Sequence, residues 1–175
     1  MRIIGLAGWS GSGKTTLLTK VLPLLIARGK RISTLKHAHH NFDVDRPGKD
    51  SFEHRSAGAT EVLVVSGNRW ALMHELRGAP EPRLPELLTK LSPVDLVLIE
   101  GFKRESFPKL EIHRVANGKP LLQGEDRWIV AIASDTPLPQ VSVPVVDLND
   151  IDAIADLLLA KAIPIEEINA HADAV

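Results

Sequence analysis

The residues best suited to chemistry form a glycine-rich segment, Gly8-Trp9-Ser10-Gly11-Ser12-Gly13-Lys14-Thr15, which matches the pattern G-x-x-x-x-G-K-[ST]. Its glycines let successive backbone N–H groups turn inward toward an anion. In this pattern the lysine reaches the β- and γ-phosphates of a nucleotide, and the hydroxyl that follows binds Mg²⁺. We therefore predict a phosphate-binding loop, or P-loop, with Ser12 and Lys14 at the phosphates and Thr15 on the metal ion.

The sequence on both sides of this loop predicts the elements that must position it. Residues 2–7 are an apolar, strand-like run, and apolar residues recur at helical spacing over residues 17–26. A strand, a glycine loop and a helix in this order bring the positive end of the helix dipole to the anion. Pro23 lies inside the predicted helix, where we expect a bend beyond the phosphate site.

The remaining sequence alternates runs that predict strands with runs that predict helices. Further strands are predicted at residues 31–36, 94–99, 109–114, 128–133 and 143–146, and helices near 51–57, up to 91, and from 149 or 150 to 159. Residues 61–65 and 70–75 flank a Gly67-Asn68 turn and predict a β-hairpin. The opening strand, helix and strand imply a parallel β-α-β unit. We predict a three-layer α/β fold of the P-loop NTPase type, with a mostly parallel sheet, the hairpin and flanking helices.

Length and composition restrict the class of protein. With 175 residues, 44% of them hydrophobic and 25% charged, the chain is predicted to form one P-loop domain over residues 1–162, followed by a tail of uncertain structure over residues 163–175. The absence of cysteine rules out disulfides and thiolate chemistry and favours a cytoplasmic protein. A net charge of −1 argues against bulk binding to nucleic acid, and no apolar run approaches the ~18 residues of a membrane helix.

Glu100 is the acidic residue best placed to act beside the P-loop. It ends the most apolar predicted strand, and ligands of open α/β sheets bind beyond the carboxyl ends of the strands. We predict that Glu100 holds Mg²⁺, directly or through water, or polarises the attacking water. The alternative is a structural carboxylate that caps the turn at Gly101.

A long polar loop, residues 37–50, leaves the second predicted strand on the same side as the P-loop. Connections of this length without regular structure are typical of binding loops. The spacing of His37, His39 and His40 fits no zinc pattern, so we favour a nucleotide-sensing loop with Asp45 near Mg²⁺. A solvated loop without a second ligand is the alternative.

Asp135 follows another predicted strand end and is a candidate for base recognition. A carboxylate there accepts both N1–H and the exocyclic N–H of guanine, and adenine lacks the N1 proton. The complete Asn-Lys-x-Asp pattern of guanine sites is absent, because Ile132 and Ala133 occupy its first two positions. A simple turn at Asp135 explains the residue equally well.

Six segments together carry a resemblance to a known family. They are the loop Trp-Ser-Gly-Ser-Gly-Lys-Thr-Thr, Leu35-Lys36-His37-Ala38-His39-His40, Asp43-Val44-Asp45-Arg46-Pro47-Gly48-Lys49-Asp50-Ser51, Arg69-Trp70-Ala71-Leu72-Met73, Ile99-Glu100-Gly101-Phe102-Lys103 and Ala133-Ser134-Asp135. On these residues the chain resembles the molybdopterin-guanine dinucleotide biosynthesis adaptor protein B (MobB) family. The P-loop alone is generic, but the Lys-His-x-His-His and Glu-Gly-Phe-Lys segments are much more specific.

The resemblance implies a function for the whole chain. It implies a GTP-binding homodimer with at most slow, Mg²⁺-dependent GTPase activity, which supports the guanylyltransferase that joins GMP to molybdopterin, with molybdopterin as a further candidate ligand. On this likeness Asp45 and Glu100 match the acids on the metal side, and the phosphate-loop residues are Gly11, Gly13, Lys14, Thr15 and Thr16.

A second class of function stays open, because the same loop is similar to that of nucleoside-type small-molecule kinases. Such a kinase needs a lid that brings arginines over the transferred phosphoryl group and a base for the acceptor hydroxyl. No compact arginine-rich lid is evident in the sequence. The adapter is therefore the favoured hypothesis.

Overall fold

The structure, a computed structural model, describes residues 1–38 and 42–168. Its strands are β1 (Arg2–Ala7), β2 (Ile32–Lys36), β3 (Glu61–Val65), β4 (Trp70–His74), β5 (Leu96–Glu100), β6 (Lys109–His113), β7 (Ile129–Ser134), β8 (Val145–Asp147) and β9 (Ile163–Pro164). Its α-helices are α1 (Lys14–Ala27), α2 (Asp50–Ser56), α3 (Leu84–Leu88) and α4 (Ile151–Lys161). The chain divides into two compact units, Met1–His37 with Leu84–Val175 and Ala38–Arg83.

The first unit is built around one sheet with the strand order β2-β5-β1-β6-β7-β8. Neighbouring strands in this order are parallel, which confirms the predicted parallel sheet, and β8 lies at its edge. β1 and β2 are not neighbours, because β5, whose first four residues are apolar and buried, is inserted between them. The carboxyl ends of β5, β1, β6 and β7 therefore meet at one edge, where ligands of such sheets bind.

Helices cover both faces of this sheet and complete three layers. Side chains alternate along β1, so Ile4 packs on one face and Ile3 on the other. The first face also buries Leu25 of α1 and Leu158 of α4. The second face buries Leu84 of α3. The predicted three-layer α/β fold is thus confirmed.

The second unit contains the predicted hairpin, in which β3 and β4 pair antiparallel. α2 packs against β3, where Val62 is buried. Side chains alternate along a strand, so Leu63 and Val65 lie on the opposite face, beside their cross-strand partners Leu72 and Trp70. These four side chains, which we call the hairpin apolar face, are 47 to 71% exposed.

Some segments differ in detail from the sequence-based expectation. α3 ends at Leu88, whereas the pattern favoured a helix to residue 91. After α4, where no firm element was predicted, Ile163–Pro164 pairs antiparallel with β1 and Ile168 is buried. The boundary placed at residue 162 stays a prediction, and residues 169–175 of the predicted tail lie outside the described residues.

α1 continues through Pro23 to Ala27 and has 14 residues. The bend expected at Pro23 stays a prediction. Within the described ranges, 1–38 and 42–168, no helix is long and apolar enough to cross a membrane.

Candidate functional site

The P-loop connects β1 to α1 at the carboxyl edge of the sheet, in the predicted order of strand, loop and helix. Gly8 begins the loop with φ +143° and lies against β6. A Cβ at Gly8 would lie 2.7 Å from the carbonyl oxygen of Ile112 and 2.6 Å from the hydroxyl oxygen of Ser12. Gly13 ends the loop with φ +95° and caps α1 without a side chain, so no side chain of the cap occupies the N–H groups of the first turn.

Lys14 is the first residue of α1, and its side chain turns back over the loop. Its ammonium group donates hydrogen bonds to two loop carbonyl oxygens, at 2.8 and 2.9 Å. Burial lowers the pKa of Lys14, the charge of Glu100 raises it in part, and the positive charges of Lys103 and Lys36 lower it further. An anion in the loop would offset this concentration of positive charge.

Glu100 is the last residue of β5, at the same edge of the sheet. Its side chain is 14% exposed, and Oε1 lies 3.9 Å from the ammonium nitrogen of Lys36. The chain turns sharply at Gly101, which has φ +96° and where a Cβ would lie 2.6 Å from the Cβ of His37. In this turn the His37 N–H donates to the backbone carbonyl of Glu100 at 2.8 Å. The contact with His37 uses only the backbone of Glu100. The Glu100 carboxylate lies close enough to Lys14 to raise the pKa of that lysine.

Three hydroxyl residues complete the loop and its first helical turn. Ser12 is 1% exposed, and its hydroxyl oxygen has no hydrogen-bond partner within the described part of the chain. Thr15 and Thr16 are exposed at the beginning of α1. Hydroxyl and carboxylate oxygens are the ligands that Mg²⁺ prefers. The residues present, including an orphaned buried hydroxyl, therefore fit a nucleotide phosphate with its Mg²⁺.

Asp135 follows β7, two strands along the sheet from the P-loop strand. Its Oδ1 accepts a hydrogen bond from the N–H of Val115 at 3.0 Å, and its Oδ2 lies 3.9 Å from the guanidinium of Arg114. The residue borders a cavity of about 420 Å³ beyond the ends of β7 and β8, lined by Ser134, Asp135, Thr136, Pro137, Leu138, Pro139, Val145, Val146 and Asp147. A pocket of this position suits the base of a bound nucleotide.

Two side chains that the sequence analysis did not single out brace the P-loop from the side of β6. The Arg114 Nε–H donates to the carbonyl oxygen of Ser12 at 3.2 Å, and the guanidinium lies against Gly13. The Asn117 amide donates to the carbonyl oxygen of Ser10 at 3.1 Å. Arg114 directly follows β6, so the strand-end rule that found Glu100 would also have found it. Asn117 ends a short 3-10 helix and carries no comparable signal.

Asp45 belongs to the second unit, where it joins a network of ion pairs. Its Oδ1 accepts a hydrogen bond from the Ser51 hydroxyl at 3.0 Å, and its Oδ2 lies 3.5 Å from Nε of Arg55. Arg55 also pairs with Asp43 at 2.8 Å and Glu75 at 2.9 Å. The role of Asp45 near Mg²⁺ stays a prediction.

The structure brings Lys14, Thr15, Glu100 and Asp135 to one edge of the first unit. His39 and His40 lie outside the described residues. In the part of the chain that is described, no group of three or more His, Cys, Asp or Glu residues is arranged to hold a metal ion. A P-loop site does not need one, since the nucleotide phosphates and water supply most of the ligands of Mg²⁺.

In the parallel sheet, the P-loop connects β1 to α1, and an acidic residue, Glu100, ends the adjacent strand β5. These features define a fold of the P-loop NTPase class. The family described as "Molybdopterin guanine dinucleotide synthesis protein B" (MobB) matches residues 3–135 of the sequence. The chain therefore belongs to the MobB family.

Individual relatives agree with this assignment. The chain is 45% identical over 160 residues to the molybdopterin-guanine dinucleotide biosynthesis adapter protein of Escherichia coli K12, covering 90% of this chain and 91% of that protein. The Haemophilus influenzae protein of the same name is 43% identical over 159 residues, or 89% and 86% of the two chains. The crystal structure of Bacillus subtilis MobB superposes on this structure with a TM-score of 0.70 and is 26% identical in sequence. The match covers 92% of this chain and 98% of that chain. A crystal structure of molybdopterin-guanine biosynthesis protein B superposes with a TM-score of 0.72 at 25% sequence identity. This match covers 90% of this chain and 98% of that chain.

The close approach at Gly8 predicts a measurable difference between two glycines. Gly8 and Gly29 both have positive φ, but a Cβ at Gly29 meets no atom within 4 Å. Both alanine variants therefore carry backbone strain, and only Gly8→Ala adds a clash with β6. We expect Gly8→Ala to lower the free energy of unfolding by about 1–3 kcal/mol more than Gly29→Ala, measured by urea denaturation. Equal losses in the two variants would show that the loop does not depend on this contact.

Proposed function

We propose that this protein is a GTP-binding adapter in the biosynthesis of molybdopterin guanine dinucleotide. In this role it supports the guanylyltransferase that joins GMP to molybdopterin, and it hydrolyses GTP slowly with Mg²⁺. The observation that carries the proposal is the Lys14 ammonium group held in the P-loop near Glu100, in a chain whose curated relatives are described as adapter proteins of this biosynthesis. Those relatives favour the adapter over the small-molecule kinase.

Phosphate binding rests on the loop and the charges around it. The triphosphate lies along the P-loop, where backbone N–H groups and the positive end of the α1 dipole face it. Lys14 supplies a direct positive charge, and Lys36 and Lys103 are near enough to act on the pKa of Lys14. The phosphates thereby offset a local excess of positive charge in a chain whose formal net charge is −1.

Replacing the loop lysine tests this phosphate site. We expect Lys14→Ala to weaken GTP binding by about a hundredfold, because it removes a charged donor whose bonds to an anion contribute up to ~3 kcal/mol. Lys20→Ala, an exposed lysine on the same helix, is the matched control. Calorimetric titration with GTP and ATP measures the affinities, and circular dichroism checks the fold. If folded Lys14→Ala binds GTP as tightly as the control, the P-loop assignment fails.

The metal side of the site, in the first unit, consists of the Thr15 hydroxyl and the Glu100 carboxylate, and the metal role of Asp45 stays a separate prediction. Mg²⁺ bound here supplies charge neutralisation at the phosphate oxygens. Glu100 holds the metal ion or its water and orients the water that attacks the γ-phosphate. Thr15, exposed at the first turn of α1, provides the hydroxyl ligand.

Glu100→Gln separates hydrolysis from binding. The amide keeps the size of the side chain but loses the charge that organises metal ion and water, so we expect kcat to fall by about a hundredfold. GTP affinity should change far less. Turnover of Glu100→Gln is compared with that of Glu125→Gln, an exposed glutamate elsewhere on the surface. If the two variants hydrolyse GTP at the same rate, Glu100 is structural and Asp45 becomes the better candidate.

Guanine selectivity is assigned to Asp135 and the cavity beside it. A carboxylate at the rim of this pocket accepts both N1–H and the exocyclic N–H of guanine. Its Oδ1 is already oriented by the N–H of Val115. A preformed carboxylate of this kind distinguishes guanine from adenine through a pair of hydrogen bonds.

Exchange of the base gives a direct test of this role. Asp135→Asn should weaken GTP binding by about tenfold and strengthen binding of xanthosine triphosphate, whose C2 carbonyl accepts from the new amide. Asp147→Asn, the other acidic residue lining the cavity, is the matched control and should leave the GTP to xanthosine triphosphate ratio unchanged. Equal affinity of the unmodified protein for ATP and GTP would contradict guanine selectivity.

The hairpin apolar face supports the proposed homodimer. Its four side chains form two directly opposed cross-strand pairs and are largely exposed. Contiguous exposed apolar patches of this kind are typical of protein interfaces. A second copy of the same face would cover it with equally apolar surface.

Charge on that face should prevent the dimer. We expect Trp70→Lys to give a monomer in sedimentation velocity at concentrations where the unmodified protein is a dimer, because a buried unpaired charge opposes association. Ile26→Lys places the same charge at another exposed apolar residue, on α1, and should leave the dimer intact. A dimer that survives Trp70→Lys would rule out this face as its interface.

A further inference from the structure

Trp9, the second residue of the P-loop, presents an indole ring that makes a hydrogen bond to the backbone and lies near two cations. Its Nε1–H donates a hydrogen bond to the carbonyl oxygen of Pro120 at 2.8 Å. The ammonium groups of Lys103 and Lys119 each lie 5.8 Å from the centre of the indole. Both lysines are exposed. We call Trp9, Lys103 and Lys119 the Trp9 platform.

A buried carboxylate holds the chain close to Lys119, one of the three residues of the platform. Glu111 of β6 is 0% exposed and accepts hydrogen bonds from the N–H groups of Leu122 (2.8 Å) and Gln123 (2.9 Å). A buried carboxylate is unfavourable unless hydrogen bonds satisfy it, so these two bonds tie the chain firmly to the sheet. The residues fixed in this way lie two and three positions after Pro120, and the bond from Trp9 to Pro120 joins the same stretch of chain to the indole.

The platform carries one ammonium group, that of Lys119, which the proposed nucleotide site does not include. Lys103 also acts on the pKa of Lys14, so the cations of the platform continue those of the P-loop. The nucleotide base is assigned to the cavity at Asp135, beyond β7 and β8. The indole ring and the Lys119 ammonium group are therefore left for a different ligand. Indole faces stack on planar rings, and lysines bind phosphate as point charges.

We propose that the Trp9 platform binds a planar heterocycle that carries a phosphomonoester, with the ring stacked on the indole and the phosphate held by Lys103 and Lys119. The exposed lysine side chains are long enough to move from above the indole to its edge when the ring binds. This inference rests on the proposed function, because molybdopterin combines a pterin ring with a phosphomonoester. It places that ligand beside the P-loop, of which Trp9 is the second residue.

Neopterin 3′-phosphate, a pterin with a phosphomonoester, is the probe. It is titrated by calorimetry into the protein saturated with a non-hydrolysable GTP analogue, and again without nucleotide. We expect Trp9→Ala and Lys103→Ala/Lys119→Ala each to weaken binding by about tenfold or more. Lys20→Ala/Lys30→Ala removes two exposed lysines elsewhere and matches the change in net charge, so it should bind like the unmodified protein. Unphosphorylated neopterin and inorganic phosphate should each bind at least about tenfold more weakly than the probe.

Other outcomes overturn the proposal. Equal binding by Trp9→Ala and the unmodified protein means that no ring stacks there. Equal losses in the two double-lysine variants mean that only net charge attracts the probe. GTP affinity is measured on the same samples, so a failure of the nucleotide site is detected separately. If the protein does not bind nucleotide, the titration of neopterin 3′-phosphate into the nucleotide-free protein still decides whether the platform binds the pterin phosphate.

Discussion

The contact between the P-loop and β6 is the constraint on which the candidate site depends. At Gly8 the loop backbone lies so close to the carbonyl oxygen of Ile112 that no side chain fits. β1 pairs with β6 only over Gly5–Ala7, directly before the loop, so the strand pairing and the loop geometry support each other. Arg114, immediately after β6, closes the loop from outside by donating to the carbonyl oxygen of Ser12. Lys14 adds its bonds to a loop whose shape the neighbouring strand already determines.

Two buried charged residues of β6, Lys109 and Glu111, hold the loops that follow β5 and β6. The ammonium group of Lys109 donates to Asp126 at 3.0 Å and to the carbonyl oxygen of Glu105 at 2.8 Å. Two residues further along, Glu111 accepts from the backbone at Leu122. Removing one partner of such a buried group leaves a charge or donor unsatisfied, which is strongly destabilising. The loops that follow β5 and β6 are therefore tied to the same strand, and the surfaces that surround the P-loop keep a defined geometry.

Much of the fold followed from local patterns in the sequence. The P-loop, the hairpin around Gly67 and the last helix, predicted from 149 or 150, depend on residues close together in the chain, and the structure has all three elements. The order of strands did not follow, because the insertion of β5 between β1 and β2 depends on the packing of distant apolar strands. Lys109 looked like a residue of an ordinary strand, and nothing local indicated that its charge is buried.

The candidate site likewise contains residues that a local pattern predicted and residues that only the folded structure reveals. Lys14 and Glu100 were found because a motif and a strand end mark them. The braces Arg114 and Asn117 contact residues about a hundred positions earlier, at Ser12 and Ser10, and such pairs leave no trace in a single sequence. The resemblance to the MobB family was confirmed by the match over residues 3–135. The functions of individual site residues depend on their contacts with nucleotide and metal, which a local pattern of residues does not encode.

In the sequence, the second unit is inserted between the two parts of the first unit, and this order has a consequence for how the chain folds. β2 precedes residues 38–83 and β5 follows them, yet the two strands pair side by side, from Ile32 with Leu96 to Lys36 with Glu100. Their pairing closes a loop that contains the whole second unit. Contacts within the hairpin, such as Val65 with Trp70, are local and lose little loop-closure entropy, and a folded insertion shortens the flexible part of that loop. The nested unit thus lowers the entropy lost when the sheet closes around β5.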